Sequence, residues 1–140
     1  MMASMAAGQT AEDHQRVYDA IAGLDRNGHE RGLPIATVFL VSSDNPAPDA
    51  DWRRRFAEQR KTLSSPRVFM SIVTRSAVMR GVLTAMNWMV PQPRQMTSVT
   101  HATFEECAEW VERVQGTPRI TLQRLRDDVQ PGPQGRARAI

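Results

Sequence analysis

Three short polar segments, each following an apolar run, carry the residues of this chain that could bind an anion. They contain Ser43, Arg75, Ser76 and His101. Hydroxyl, guanidinium and imidazole groups donate hydrogen bonds, and an arginine adds a fixed charge with two parallel donors. If the apolar runs are parallel strands, their carboxyl ends meet at one edge of a sheet, beside the N-termini of the helices that follow. The pattern predicts an anion- or lipid-binding rim at that edge.

The same segments have a simpler interpretation as turns and helix caps. Every helix leaves N–H groups free at its start, and serine and threonine are among the residues that cap them best. Ser76 and Thr103 stand where two such caps belong, and Ser43 with Asp44 has the composition of a turn. Both interpretations remain open at the level of sequence.

No set of residues has the spacing of a catalytic site. The single cysteine, Cys107, falls on the apolar side of its predicted helix, where a thiol packs as a small hydrophobic group. Of the three histidines, only His101 falls in the predicted rim, and it has no cysteine or carboxylate at ligand spacing beside it. A glycine-rich phosphate loop and a nucleophile elbow are both missing from the sequence. We therefore expect no metal, no cofactor and no enzymatic activity.

Composition is typical of one globular domain in a reducing compartment. The 140 residues carry a net charge of only +3, and 41% of them are hydrophobic. The arginines at positions 53–60 spread round a helix without interleaved aromatic residues, so a solvated helix face is favoured over a nucleic-acid patch. No run reaches the ~18 apolar residues of a membrane span, and the N-terminus lacks a secretory signal pattern. We expect a cytoplasmic protein.

Hydrophobic periodicity places the polar segments on alternating strands and helices. Residues 67–100 are the clearest unit: a strand, a very apolar helix and a second strand, which is the size of one parallel βαβ motif. Apolar runs predict strands at 33–41, 68–73 and 95–100. Helical spacing and capping signals predict helices at 10–24, 49–63, 76–90, 103–115 and 117–129. Asn27-Gly28 is expected to break the first helix.

This order predicts an α/β fold with a small, mainly parallel sheet and helices on both faces. Residues 10–129 form the single domain. Residues 1–9 are expected to be disordered or to depend on a partner, and residues 130–140 (QPGPQGRARAI) to be a disordered tail. Because no strand is predicted before residue 33, one edge of the sheet is left uncovered. Such an edge is prone to pairing, so we expect a homodimer or a protein partner there.

The order of elements resembles that of the anti-sigma-factor antagonist (STAS) domains and the related stage II sporulation protein AA-like group. The resemblance covers about residues 10–114. The resemblance is strongest over 67–111. This part contains a strand, a long apolar helix and a short strand, followed by the sequence TFEE at the start of an acidic helix and the sequence EWV further along that helix. Domains of this family begin with one or two strands, and none is predicted in residues 1–9. The resemblance implies a STAS-like sheet that lacks its first strands, and a regulatory function through protein contacts.

The same resemblance implies a candidate for phosphorylation. The family carries a regulatory phosphoserine just after the matching strand, at the head of the next helix, and Ser42 and Ser43 are nearest by position. The family's Asp-Ser-Ser-Gly pattern is missing, and a proline-containing loop separates these serines from the helix. Ordinary turn serines are the alternative. A phosphate here would add a charge of about −1.5 to −2 near Arg75.

A second candidate surface lies on the apolar helix at 76–90. Trp88 falls opposite the main apolar arc, with Gly81 and Ala85 near it. An aromatic residue beside two small ones favours a contact with another protein, whereas packing of Trp88 under the following proline loop is the alternative. Our leading hypothesis is a non-catalytic regulatory or scaffolding domain that acts through protein contacts, and the anion- or lipid-binding rim is the second.

Overall fold

The computed structural model describes residues 1–5, 10–45, 49–89 and 92–129, with the side chains of residues 4, 5, 88 and 89 excepted. Four strands alternate with helices and a fifth helix follows. In chain order they are β1 (Met2–Met5), α1 (Ala11–Arg31), β2 (Ile35–Val41), α2 (Ala50–Thr62), β3 (Val68–Val73), α3 (Ala77–Met89), β4 (Met96–His101), α4 (Phe104–Gln115) and α5 (Arg119–Val129). None of the helices in these ranges is long and apolar enough to cross a membrane.

The four strands form one parallel sheet in the order β1-β2-β3-β4. Met2 is the register partner of Val38, Ile35 pairs with Val68, and Val73 pairs with His101. β2, β3 and β4 each pair with the strand before them in the chain, and one helix connects the two strands of each pair. All carboxyl ends point to the same side of the domain.

Strand side chains alternate between two separate cores. On one face Phe39 and Met70 join residues of α1, α2 and α3, among them Ile21, Phe56 and Leu83. On the opposite face Val38 and Phe69 pack against α4 and α5, with Trp110, Val111 and Leu122. A sheet buried on both faces explains why 33–41 and 68–73 read as nearly continuous apolar runs.

The predicted α/β class, with a parallel sheet between two helical layers, is confirmed. The structure has one strand more than predicted, because Met2–Met5 forms β1 at the outer side of β2. The segment MASM has little β-propensity of its own, and its place in the sheet depends on packing, since Met2 and Ala3 are fully buried. The expectation that the first strands are missing is therefore corrected for β1. Residues 6–9 and 130–140, for which disorder was predicted, lie outside the described ranges.

Asn27-Gly28 does not end the first helix, contrary to the prediction. α1 continues to Arg31 and ends at Gly32, whose φ of 63° is left-handed and suits glycine. Gly28 serves another purpose: a Cβ built there would lie 2.6 Å from Oγ of Ser65 and in collision with the side chain of Ile35. The glycine lets the helix approach the start of β2 and the loop before β3.

Candidate functional site

The carboxyl ends of β2, β3 and β4 lie side by side, as the sequence predicted for the rim. The backbone N–H of Thr74 donates to the carbonyl of His101 across a distance of 3.1 Å, which joins the segments after β3 and β4. Leu40 and Val73 are register partners, so the segment that begins at Ser42 and the segment that begins at Thr74 lie next to each other. The backbone thus brings the three polar segments to one edge of the sheet.

Ser42 and Ser43 belong to a turn whose polar groups contact one another. The hydroxyl of Ser42 donates a hydrogen bond to the carboxylate of Asp44, and the N–H of Asn45 donates to the carbonyl of Ser42. The bond from Ser42 lowers the pKa of Asp44. Ser43 is exposed. Residues 46–48 of the loop lie outside the described part, so the path from these serines to α2 is not described.

Ser76 is a helix cap. Its Oγ accepts the backbone N–H of Met79 at 3.2 Å, while its own N–H donates to the hydroxyl of Thr74. Arg80 donates from Nη1 to the carbonyl of Thr74 at 2.8 Å, which fixes the start of α3 against the end of β3. Arg75 is exposed and has no hydrogen bond or ion pair with any described residue. Of this segment, only Arg75 remains available for a ligand.

His101 points to the other side of the sheet from α3. Alternation along β4 places it on the α4 face, where its ring lies 5.7 Å from that of Trp110, between centroids. Its Nε2 is buried and has no hydrogen-bond partner among the described residues. Burial lowers the pKa of His101, although Glu106 opposes that shift. The imidazole is therefore neutral near pH 7.

The predicted rim residues share an edge without converging on one point. Ser76 caps α3 on one face, His101 contacts Trp110 on the other, and Ser43 and Arg75 extend into solvent. Ser76 and His101 thus contact different layers of the fold. The capping interpretation accounts for Ser76, and likewise for Thr103, whose Oγ accepts the N–H of Glu106.

Cys107 packs in the core, as predicted from its helix face. It is fully buried, and Oγ of Ser71 donates to its Sγ at 3.1 Å. Burial raises the pKa of this thiol to about 11, so it is protonated at neutral pH and unsuited to act as a nucleophile. Within the described residues, no three His, Cys, Asp or Glu side chains are grouped closely enough to hold a metal ion.

The prediction that Arg60 belongs to a solvated helix face is wrong. Only 4% of the residue is exposed. Its Nε donates to Sδ of Met96 at 3.3 Å and its guanidinium lies 5.6 Å from the centre of the Phe56 ring. The signal was present in the sequence, because Trp52, Phe56 and Arg60 recur every four residues and so share one side of α2.

The exposed side of α3 is almost free of charge. We call it the outer face of α3; its exposed residues are Ala77, Val78, Gly81, Thr84 and Ala85. Val78 is 77% exposed. α3 has one charged residue, Arg80, whereas α2, also 13 residues long, has seven. Two of the predicted contact residues, Gly81 and Ala85, thus lie together on an uncharged surface. The third, Trp88, has its side chain outside the described part.

Compared with protein-family models, with curated proteins and with solved structures, the chain gives no match. A function must be argued from its own residues.

Proposed function

We propose that this chain is a non-catalytic regulatory or scaffolding domain that binds other protein surfaces, with the outer face of α3 as one contact. The proposal extends the resemblance to the anti-sigma-factor antagonist domains. The buried, protonated Cys107 and the dispersed rim residues give no support to a catalytic role.

Gly81, on the uncharged outer face of α3, is the observation that carries the proposal. Gly23, the other helical glycine with open space, has the exposed charges of Asp19 and Arg26 four residues before it and three after it. A glycine inside a helix costs about 0.5–1 kcal/mol relative to alanine. The fold has no use for it here, since a Cβ at Gly81 would meet no atom within 4 Å and its φ is not positive. Glycine also permits the close approach of another backbone. Beside the 77%-exposed Val78, this favours a helix or strand of another protein lying across α3.

Gly81→Arg tests this contact, and Gly23→Arg is its matched control. Gly23 is also a helical glycine, in α1, with no atom within 4 Å of a built Cβ. Tagged wild-type chain captures partners from an extract of the source cells, and each captured protein is purified and titrated against the three chains by calorimetry. We expect binding to be lost in Gly81→Arg and kept in Gly23→Arg, with unchanged circular dichroism. Equal binding by all three chains would contradict the proposal.

A second candidate function is anion or lipid-headgroup binding at the rim. It is favoured by the exposed Arg75, which is unpaired within the described ranges and follows β3 at the edge where the carboxyl ends of the strands meet. Thermal unfolding with inorganic phosphate and with a phospholipid headgroup tests it. The expected result is a stabilisation in wild type that is lost in Arg75→Ala and kept in Arg67→Ala, which removes an exposed arginine at the opposite end of β3. No shift with either compound would remove this candidate.

A further inference from the structure

Within the described residues, β4 is an outer strand of the sheet, and one of its edges is unpaired. In the described part of the chain it pairs with β3 alone. Natural proteins shield exposed edges with charges, prolines, bulges or covering elements. Met96–Thr100 reads MTSVT, which contains neither a charged residue nor a proline, and it is rich in residues of high β-propensity.

The hydrogen bonds of the sheet identify which backbone groups of this edge are free. Val68 donates to the carbonyl of Gln95 and Thr74 donates to the carbonyl of His101. Because direction alternates along a strand, residues 95, 97, 99 and 101 turn their backbone groups toward β3, and residues 96, 98 and 100 turn theirs outward. Met96 already donates to Pro93, and Ala102, just beyond the strand, donates to Glu106. Along this edge, the N–H groups of Ser98 and Thr100 have no acceptor among the described residues.

These donors are complementary to a second copy of themselves. In an antiparallel pair with a two-fold axis at Val99, Ser98 of one chain faces Thr100 of the other, and each such pair exchanges two N–H···O bonds. Four backbone hydrogen bonds form, and the two ends of the pairing region need no further donors. We infer that the chain forms a two-fold dimer in which two β4 strands join the sheets into one of eight strands.

The distribution of charged residues near β4 is compatible with this antiparallel register. The pairing strands are neutral, so two copies do not repel each other there. In this register the exposed Arg94, two residues before β4, lies opposite residue 104 of the second copy, next to the exposed Glu105 in the first turn of α4. The two-fold axis repeats this opposite-charge approach at the other end. The inference rests on the proposed protein-contact function and names the occupant of a second surface, apart from the outer face of α3.

Cysteine cross-linking tests the register. In the proposed dimer, the two copies of Val99 face each other as a non-hydrogen-bonded pair. Their Cα atoms are about 4.5 Å apart, which is within the range for a disulfide. The two copies of Thr97 lie on the same face of the joined sheet as Val99, but they are roughly 13 Å apart along the strands. With a copper–phenanthroline oxidant accepting the two thiol electrons, Val99→Cys should give mostly disulfide-linked dimer and Thr97→Cys little. Wild type controls for the buried Cys107. Equal cross-linking of both variants, or none in Val99→Cys, overturns the register.

Ser98→Pro tests the same pairing without a cross-link. The N–H of Ser98 faces outward, so a proline removes a donor of the dimer and leaves the ladder with β3 intact. Light scattering should give the mass of two chains for wild type and of one for Ser98→Pro, with unchanged circular dichroism. If wild type is a monomer, the dimer proposal is wrong, but the proposal that the outer face of α3 binds a partner is still tested separately by Gly81→Arg. If Ser98→Pro is still a dimer, only the proposed β4 interface is wrong.

Discussion

At the scale of single residues, Asp25 holds α1 to the loop before β3. Its carboxylate is buried and accepts the N–H and hydroxyl of Ser64 and the N–H of Ser65, all at 2.9 Å. Removing the acceptor leaves the buried N–H of Ser65 unpaired, which costs about 1–3 kcal/mol, and also removes the two weaker, partly exposed bonds from Ser64. We expect Asp25→Ala to lower the free energy of unfolding by about 2–3 kcal/mol, measured by urea denaturation. Asp19→Ala, on an exposed part of the same helix, should change it by less than about 0.5 kcal/mol.

The effect of Asp25 should depend on pH. Burial acts to raise its pKa, but the hydrogen bonds from Ser64 and Ser65 outweigh burial, so the folded-state pKa is lowered. Its stabilising contribution is therefore complete above the unfolded-state pKa of about 4 and is lost as the pH falls through the folded-state value. The stability difference between wild type and Asp25→Asn should shrink below about pH 4. A constant difference down to pH 2 would contradict this account.

Arg60 is a buried cation without an acidic partner among the described residues. Its Nη2 has no hydrogen-bond partner there, and burial lowers the pKa of its guanidinium. A side chain of similar length without charge avoids this desolvation. We expect Arg60→Met to raise the free energy of unfolding by about 1 kcal/mol, and Arg60→Ala to lower it by leaving a cavity. A loss of stability in both variants would show that the charge itself is stabilising.

At the scale of elements, two glycines of α1 have opposite roles. Gly28 is buried where a Cβ would overlap Ile35 and Ser65, whereas Gly23 has open space. We expect Gly28→Ala to destabilise the fold by about 1–3 kcal/mol through overpacking, and Gly23→Ala to stabilise it by about 0.5–1 kcal/mol. Thermal and urea unfolding of the pair measure both. If Gly28→Ala were neutral, α1 would not need to approach β2 so closely.

The elements were predictable where local sequence determines them. β3 was predicted with its observed ends, and the capping box of Thr103 and Glu106 marked the start of α4. The prediction that Gly28 breaks α1 was wrong, because the sequence does not distinguish a glycine that permits close packing from one that ends a helix. At the rim, backbone position was predictable from strand order, but side-chain direction was not: His101 and Ser76 leave the same edge toward opposite faces.

At the scale of the whole molecule, the outer strands of the sheet are β1 and β4. β2, seven residues of mostly buried apolar sequence, is an inner strand because the four residues of β1 pair with it. The sequence could not reveal this cover, because MASM gains its extended form from β2 and from the core beneath it. Without β1, the whole outer side of β2 becomes an unpaired apolar edge, which promotes aggregation.

Met2 anchors that cover and provides a direct test of it. The side chain is fully buried in the core beside α4 and α5. We expect Met2→Ala to lower the free energy of unfolding by about 2–4 kcal/mol, since it leaves a cavity, whereas Met2→Leu keeps the volume and should cost less than about 1.5 kcal/mol. Urea denaturation measures both, and light scattering after mild heating should detect aggregates in Met2→Ala first. If Met2→Ala were as stable and as free of aggregates as Met2→Leu, β1 would not be part of the cooperative fold, and β2 would be the natural edge of the sheet.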